Sequence, residues 1–283
     1  MSVRRVLLAI LLLIAVTIAY MYSVAVRDPV IRRADIALAD WPKGVPPMTV
    51  MLISDVHVAG PDMPPERLVR IVKQVNAAKP DLVMFAGDFV SDKRLSTTKY
   101  DGAEAMAPLA KLAAPLGAVA VLGNHDHWRG RGEIMAALDQ AGVRILTNQA
   151  ARIGPMIIGG VDDDFTGHAN VPAVLAEMNK LGDTGKAARI LLSHSPDIVP
   201  QVPSVGNLDH VALILAGHTH CGQIRFPLIG AISHVSRYGD RYACGIIRAN
   251  GKTIVVGAGL GTSILPLRLG AVPDMWLLIL GPK

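Results

Sequence analysis

The carboxylate, carboxamide and imidazole side chains that could do chemistry gather in five short motifs. These are Ser54-Asp55-Val56-His57, Gly87-Asp88, Gly123-Asn124-His125-Asp126, Ser193-His194 and Gly217-His218-Thr219-His220. Asp, His and Asn offer the oxygen and imidazole ligands that suit divalent Zn, Fe or Mn. The alternation in Asp55-x-His57 and His218-x-His220 lets two side chains leave an extended segment on the same side. Five of the nine histidines fall in these motifs, whereas His127, His168, His210 and His234 have no comparable context. One such motif means little, because an isolated histidine is usually a surface or satisfied core residue. Five in series point to a pair of metal ions, which lower the pKa of a water between them and make hydroxide available near neutral pH.

The elements that must position these residues are legible around them. Short apolar runs alternate with helical patterns: a strand at Thr49–Ser54, a helix at Pro65–Ala78, a strand at Asp81–Ala86, a helix at Gly102–Ala113 and a strand at Ala118–Leu122. A helix at Glu133–Ala141, short strands at Val143–Leu146 and Met156–Gly160, a helix at Val171–Leu181 and strands at Arg189–Leu192 and Val211–Leu215 follow. Every motif then ends a strand. Ligand sites of α/β sheets gather at the carboxyl ends of strands, so the five can converge on one crevice. From Gln223 to Leu280, strands at Tyr242–Arg248, Thr253–Val256 and Met275–Leu280 between Gly/Pro turns suggest a second, more antiparallel sheet.

The series Asp-x-His, Gly-Asp, Gly-Asn-His-Asp, His and Gly-His-x-His resembles the calcineurin-like metallophosphoesterase superfamily, from about Thr49 to the end of the chain. Leu191–Asp197, Ala216–Ile224 and Gly259–Thr262 are similar to its membrane-associated bacterial branch, some of whose members cleave the pyrophosphate of UDP-diacylglucosamine. The resemblance implies a four-layer α/β/β/α sandwich of two mixed sheets and hydrolysis of a phosphomonoester or phosphodiester. It implies that Asp55, His57 and His220 bind one metal, that Asn124, His194 and His218 bind the other, and that Asp88 bridges them. His125 is then the natural acid for the leaving oxygen. Many relatives carry a second acid three residues after the bridging aspartate, where this chain has Ser91; Asp126 or Asp92 are the candidates to replace it. Cys221 stands where the branch often has glycine. A lipid-linked pyrophosphatase is the alternative within enzymes, and a non-catalytic, metal-stabilised scaffold the alternative outside them.

Other features have blander readings. Gly257-x-Gly259-x-Gly261 lacks the spacing and context of a nucleotide loop and reads as a tight turn. Asp162-Asp163-Asp164 reads as a solvated turn, with metal or substrate contacts as the alternative. Arg225, Arg237 and Arg241 could clamp a phosphate or form a basic face. Trp128 could border the substrate pocket, Trp276 belongs in a core strand, and Trp41 suits a membrane interface. Cys221 and Cys244 make no disulfide scaffold and read as small core residues, Cys221 being open to oxidation.

Composition bounds the rest. At 283 residues and 51% hydrophobic against 18% charged, the chain has ample core and is not disordered. Residues 6–26 carry no charge and are long enough as a helix to cross a bilayer. Arg4-Arg5 and Ser23-Val24-Ala25 fit a cleaved signal, but the length of the run favours an uncleaved anchor over residues 1–27. A Pro-containing linker over 28–47 and a catalytic domain over 48–283 follow. With the resemblance, this places the chain at a bacterial inner membrane with its catalytic domain on the extracytoplasmic side. The net charge of +5 suits anionic headgroups or phosphorylated substrates, lipid-linked ones among them. With 4% aromatics and no basic run interleaved with them, nucleic-acid binding is not expected.

Overall fold

Uninterrupted apolar runs such as Leu82–Ala86, Ala118–Val121 and Leu213–Ala216 suit strands covered on both faces, and each is a wholly buried strand in the structure, a computed structural model. It describes residues 2–182, 186–203 and 210–283. In chain order the elements are α1 (Val3–Val26), β1 (Val30–Leu38), β2 (Met48–Ile53), α2 (Pro65–Ala78), β3 (Leu82–Ala86), α3 (Gly102–Met106), β4 (Ala118–Val121), α4 (Asn124–Gln140) and β5 (Val143–Ile145). Then come β6 (Gln149–Ile153), β7 (Met156–Val161), α5 (Val171–Gly182), β8 (Ala188–Ser193), β9 (Leu213–Ala216), β10 (Arg225–Phe226), β11 (Gly230–Ala231), β12 (Gly245–Ala249), β13 (Lys252–Val256) and β14 (Asp274–Pro282).

The first sheet has the order β1-β14-β2-β3-β4-β5 and the second β12-β13-β9-β8-β7-β6. Three apolar cores define four layers. Val50, Leu52, Met84 and Val121 of the first sheet meet Ile158, Ile190, Leu215 and Val255 of the second. Outside the first sheet, Val83 and Phe85 pack with Leu68 and Ile71 of α2 and Leu138 of α4. Outside the second, Ile157, Leu191 and Ile214 pack with Val174 and Met178 of α5. Each large side chain so covered contributes roughly 1.5–3 kcal/mol relative to exposure. Helix α2 shows how locally this is specified. Pro65 sits in its first turn, where a fixed φ and a missing N–H cost nothing; Leu68, Ile71, Val72 and Val75 form its buried stripe; and Lys79 ends it in the left-handed region at φ 50°.

The α/β/β/α expectation therefore holds, with three corrections. The second sheet is not mainly antiparallel: β7, β8, β9 and β13 run parallel, and only the edges β6 and β12 are antiparallel to their neighbours. β14 does not join it, but returns to the first sheet, antiparallel to β2 and parallel to β1. The stretch 28–47 is not a linker throughout, because residues 30–38 are the edge strand β1, where only Ile36 and Leu38 bury fully and Arg32 and Arg33 stay outside. Pro29 and Pro42 flank that strand rather than interrupt it. Trp41 is likewise inside, 5% exposed, with its indole N–H donating to the Val45 carbonyl at 3.0 Å.

Residues 2–20 of the chain, nearly all of α1, stand clear of the domain. Only Met21, Val24 and Ala25 of the helix are buried, where the Arg268 N–H donates to the Met21 carbonyl at 3.0 Å. The Tyr22 hydroxyl donates to the Pro61 carbonyl at 3.3 Å. α1 is a helix long and apolar enough to cross a membrane.

Candidate active site

The parallel strands β2, β3, β4, β8 and β9 all end at one edge of the two sheets, and each motif is the turn that leaves its strand. These turns are tight. Asp55, His57, Asp88, His218 and His220 have φ between 49° and 69°, in the left-handed region that non-glycine residues rarely occupy. Strain of this kind, costing of order 1–3 kcal/mol per residue, persists where surrounding structure over-determines it. Here neighbouring glycines give the room. A Cβ on Gly217 would lie 2.5 Å from Asp55 Oδ2, one on Gly259 would lie 2.5 Å from Asp55 Cβ, and one on Gly261 would lie 2.3 Å from the Val56 carbonyl. The Gly257–Gly261 run is thus the tight turn expected, wrapped directly against the first motif.

All seven expected ligands come together and all are buried: Asp55, His57, Asp88, Asn124, His194, His218 and His220. Three sets have donor atoms within 4.8 Å of one another, namely Asp55/His57/His220, Asp88/His194/His218 and His57/Asp88/His125. Asp88 lies at the centre, with Oδ2 3.4 Å from His57 Nε2 and 3.2 Å from His194 Nε2, while Oδ1 accepts from the His125 N–H at 2.8 Å. His194 Nε2 also lies 3.0 Å from Asn124 Oδ1 and 3.0 Å from His218 Nδ1. On the other side His57 and His220 face each other with Nε2 atoms 3.0 Å apart, and His220 Nε2 is 3.5 Å from Asp55 Oδ1. Two hydrogen bonds orient the set: the His194 Nδ1–H donates to the Ala86 carbonyl at 2.7 Å, and the His218 backbone N–H donates to Asp55 at 3.0 Å.

The electrostatics fit a cation. Burial holds His57 and His220 well below the usual imidazole range and pushes His218 down to about 3, so three rings keep their lone pairs. The charge of Arg268 adds to the effect at His220, as a proton on the facing His57 ring would. Burial raises Asp55 to about 6, with Asp88 adding to the rise, the mark of a carboxylate short of positive charge. For Asp88 burial acts the same way, but His194, His125 and His57 outweigh it and hold the carboxyl well below its ordinary value. His194 is raised to about 10 by Asp88 and Asp55 against the cost of burial, so a proton there stands where positive charge is wanted. Among the described residues, the buried nitrogens His57 Nδ1 and His218 Nε2 have no hydrogen-bond partner. Neutral imidazoles, two carboxylates and a carboxamide oxygen turned toward one another make a donor set suited to divalent transition metals.

The two candidates for the missing carboxylate separate cleanly. Asp92 pairs with His125 Nδ1. Asp126 is wholly buried and accepts from the backbone N–H groups of Asp88, Phe89, Val90 and Gly123, which ties the second motif to the third. Burial and then Asp88 raise the Asp126 carboxyl to about 7, against those N–H donors. Its carboxylate thus faces backbone N–H groups of the two motifs, whereas Asp92 faces the His125 ring. Ser91 is buried, its hydroxyl accepting from the Lys93 N–H.

A cavity of about 750 Å³ opens over Asp88, Asn124, His125, His218 and His220. Its other walls are mainly apolar, with Trp128, Phe165, Ile232, Ile264 and Leu265, so Trp128 does border the pocket. Arg225 and Arg237 are instead held by Asp240 and by Asp164 and Asp197, and Arg241 lies over the Tyr242 ring. The acidic triplet is no solvated turn: Asp162 accepts from His127 at 2.8 Å, and buried Asp163 accepts from the Thr166 backbone at 2.7 Å. Cys221 and Cys244 are joined in a disulfide, which corrects the reading of two separate core thiols. Three further residues were not singled out from the sequence. Lys93 pairs with Asp62 and donates to Thr262, and Arg268, fully buried, donates to the carbonyls of Ala258, Gly261 and Ala271 beside His220. A charged residue inside the apolar stretch Ile264–Leu269 was the available signal for Arg268.

Residues 48–222 match the sequence profile of the calcineurin-like phosphoesterases, and the chain belongs to that family. Relatives agree. An uncharacterised metallophosphoesterase of Aquifex aeolicus is 34% identical over 86% of this chain and 88% of its own length. One of Bacillus subtilis is 30% identical over 83% of this chain and 79% of its own. A transmembrane protein with a metallophosphoesterase domain from Danio rerio is 28% identical over 99% of this chain and 63% of its own. The chain is a metal-dependent phosphoesterase, with candidate metal-ligand clusters at the ends of its strands.

Proposed function

We propose that the chain is a dinuclear phosphodiesterase or phosphomonoesterase, tethered by α1 to a membrane and working on the extracytoplasmic side. The observation that carries the dinuclear reading is the central place of Asp88, whose one carboxylate oxygen reaches toward His57 and toward His194. Asp55, His57 and His220 would hold one divalent ion and Asn124, His194 and His218 the other, with Asp88 placed to serve both. When bound, such a pair supplies an activated water and neutralises the phosphate oxygens during in-line displacement. His125 stands at the cavity with Nδ1 engaged by Asp92, leaving Nε2 to hold a proton toward the leaving oxygen. Asp92, accepting from Nδ1–H, orients the ring and offsets its charge while Nε2 also carries the proton to be given up. The Cys221–Cys244 disulfide supports an oxidising compartment, hence the extracytoplasmic side. The apolar cavity wall favours substrates with an apolar portion beside the phosphate, which keeps a UDP-diacylglucosamine-type pyrophosphate as the second reading.

The test is Asp88→Asn in the purified full chain, followed by metal analysis and hydrolysis of bis(p-nitrophenyl) phosphate with Mn, Fe or Zn supplied. The expected result is close to two ions per wild-type chain, loss of at least one in the variant, and a fall in turnover of about a thousandfold, equivalent to several kcal/mol of metal-derived stabilisation. Wild-type turnover in the variant overturns the proposal.

A further inference from the structure

Strands β10 and β11 form a small hairpin whose tip is Phe226-Pro227-Leu228-Ile229. The tip is built the wrong way round for water. Leu228 is 108% exposed and Ile229 81%, and Leu228 is held at φ 70°, a conformation that turns usually give to glycine. Ile232, Val235 and Ile264 continue the apolar surface from the hairpin to the mouth of the cavity, which they line. No acidic residue occurs from residue 222 to residue 239. Exposed apolar surface of this kind marks a site of contact with protein or membrane.

The structure says which, because the hairpin hangs from the same short segment as the docking turn of α1. Arg268 donates its N–H to the Met21 carbonyl, and the next residue, Leu269, accepts from the Arg225 N–H at 2.8 Å and donates to the Gln223 carbonyl at 3.0 Å. Helix and hairpin base are thus one residue apart along the chain that holds them. Above Met21 the helix runs free over residues 3–20, about 27 Å at 1.5 Å per residue, close to the ~30 Å of a hydrocarbon layer. A bilayer spanned by this free part ends near Tyr20, at the level of Arg268 and Leu269. We infer that the 226–229 tip is a second membrane contact, inserted into the lipid surface beside α1, so that the mouth of the cavity is held against the bilayer. This rests on α1 spanning the membrane, a reading it extends from one point of attachment to two.

Because α1 alone keeps the protein on membranes, the test must report on the tip itself. The full chain is reconstituted in phosphatidylcholine/phosphatidylglycerol vesicles as wild type, as Leu228→Trp and as Leu12→Trp, a site in the free part of α1. Emission is taken as the difference from wild type, whose own tryptophans include the exposed Trp128. Neither substitution touches the cavity, so both variants hydrolyse bis(p-nitrophenyl) phosphate at the wild-type rate. With interfacial elements buried roughly 5–10 Å, the Leu228→Trp emission shifts to the blue and loses about half its intensity when the lipids are brominated on their acyl chains. Quenching at position 12 but not at position 228 overturns the second contact while leaving the anchor standing. Quenching at neither position overturns both. A blue shift at position 228 without quenching means that protein covers the tip, and it also overturns the inference.

Discussion

Asp92 and Asp126 are equally plausible partners for His125 when read along the chain, and the fold separates them by position alone. Asp126 lies one residue from His125 but turns back into the start of α4, where its oxygens collect backbone N–H groups from two motifs. Asp92 lies far off in sequence yet meets the ring. Replacing it should therefore act on proton transfer and not on folding. Asp92→Asn is expected to slow hydrolysis of esters with poor leaving groups by roughly 10²-fold, while p-nitrophenyl esters, whose leaving group needs no proton, change little. Asp126→Asn should instead lower the denaturation midpoint, by about 1–3 kcal/mol of unfolding free energy, since it weakens several charge-assisted bonds at once. Equal loss on both kinds of ester for Asp92→Asn would remove it from the proton path. The convergence of the seven candidate ligands was legible because residue type and strand-end position coincide; the carboxylate that meets His125 was not, because nothing local tells a side chain which of two loops it will meet.

Among the elements, the turns matter more than the strands they follow. Five of the proposed ligand positions sit at positive φ, and glycines from other turns fill the space that a side chain would need. Gly259 is the clearest case, since it has φ 76° and a Cβ there would strike Asp55. Gly259→Ala is expected to cost at least about 1–3 kcal/mol of stability and to lower metal content, measured by chemical denaturation and metal analysis on the same preparation. Parallel buried strands announced themselves as apolar runs, and α2 through its proline, its stripe and its end. β1 did not, because an edge strand that keeps Arg32 and Arg33 outside has neither a continuous run nor a clean alternation. The return of β14 to the first sheet was equally silent: its apolar run fits either sheet, and the choice is made by a partner, β2, more than two hundred residues earlier in the chain.

At the scale of the whole molecule, the disulfide does more than indicate a compartment. Its two cysteines are 23 residues apart, and the ring they close contains the whole β10–β11 hairpin and begins beside His220. Closing a loop of this size is worth about 3 kcal/mol in the chain-entropy account. The ring also changes the topology of the chain. A protease that cuts once at the exposed 226–229 tip divides the backbone without dividing the molecule. The cut protein should migrate as one species on a denaturing gel until a reductant is added, and then as two. Bilayer coverage of the tip should slow that cut relative to the protein in detergent. The segment after His220 is therefore a place where the chain can be severed while β12, β13 and β14, with Gly259 and Arg268, stay covalently joined to the part that carries the proposed strand-end ligands.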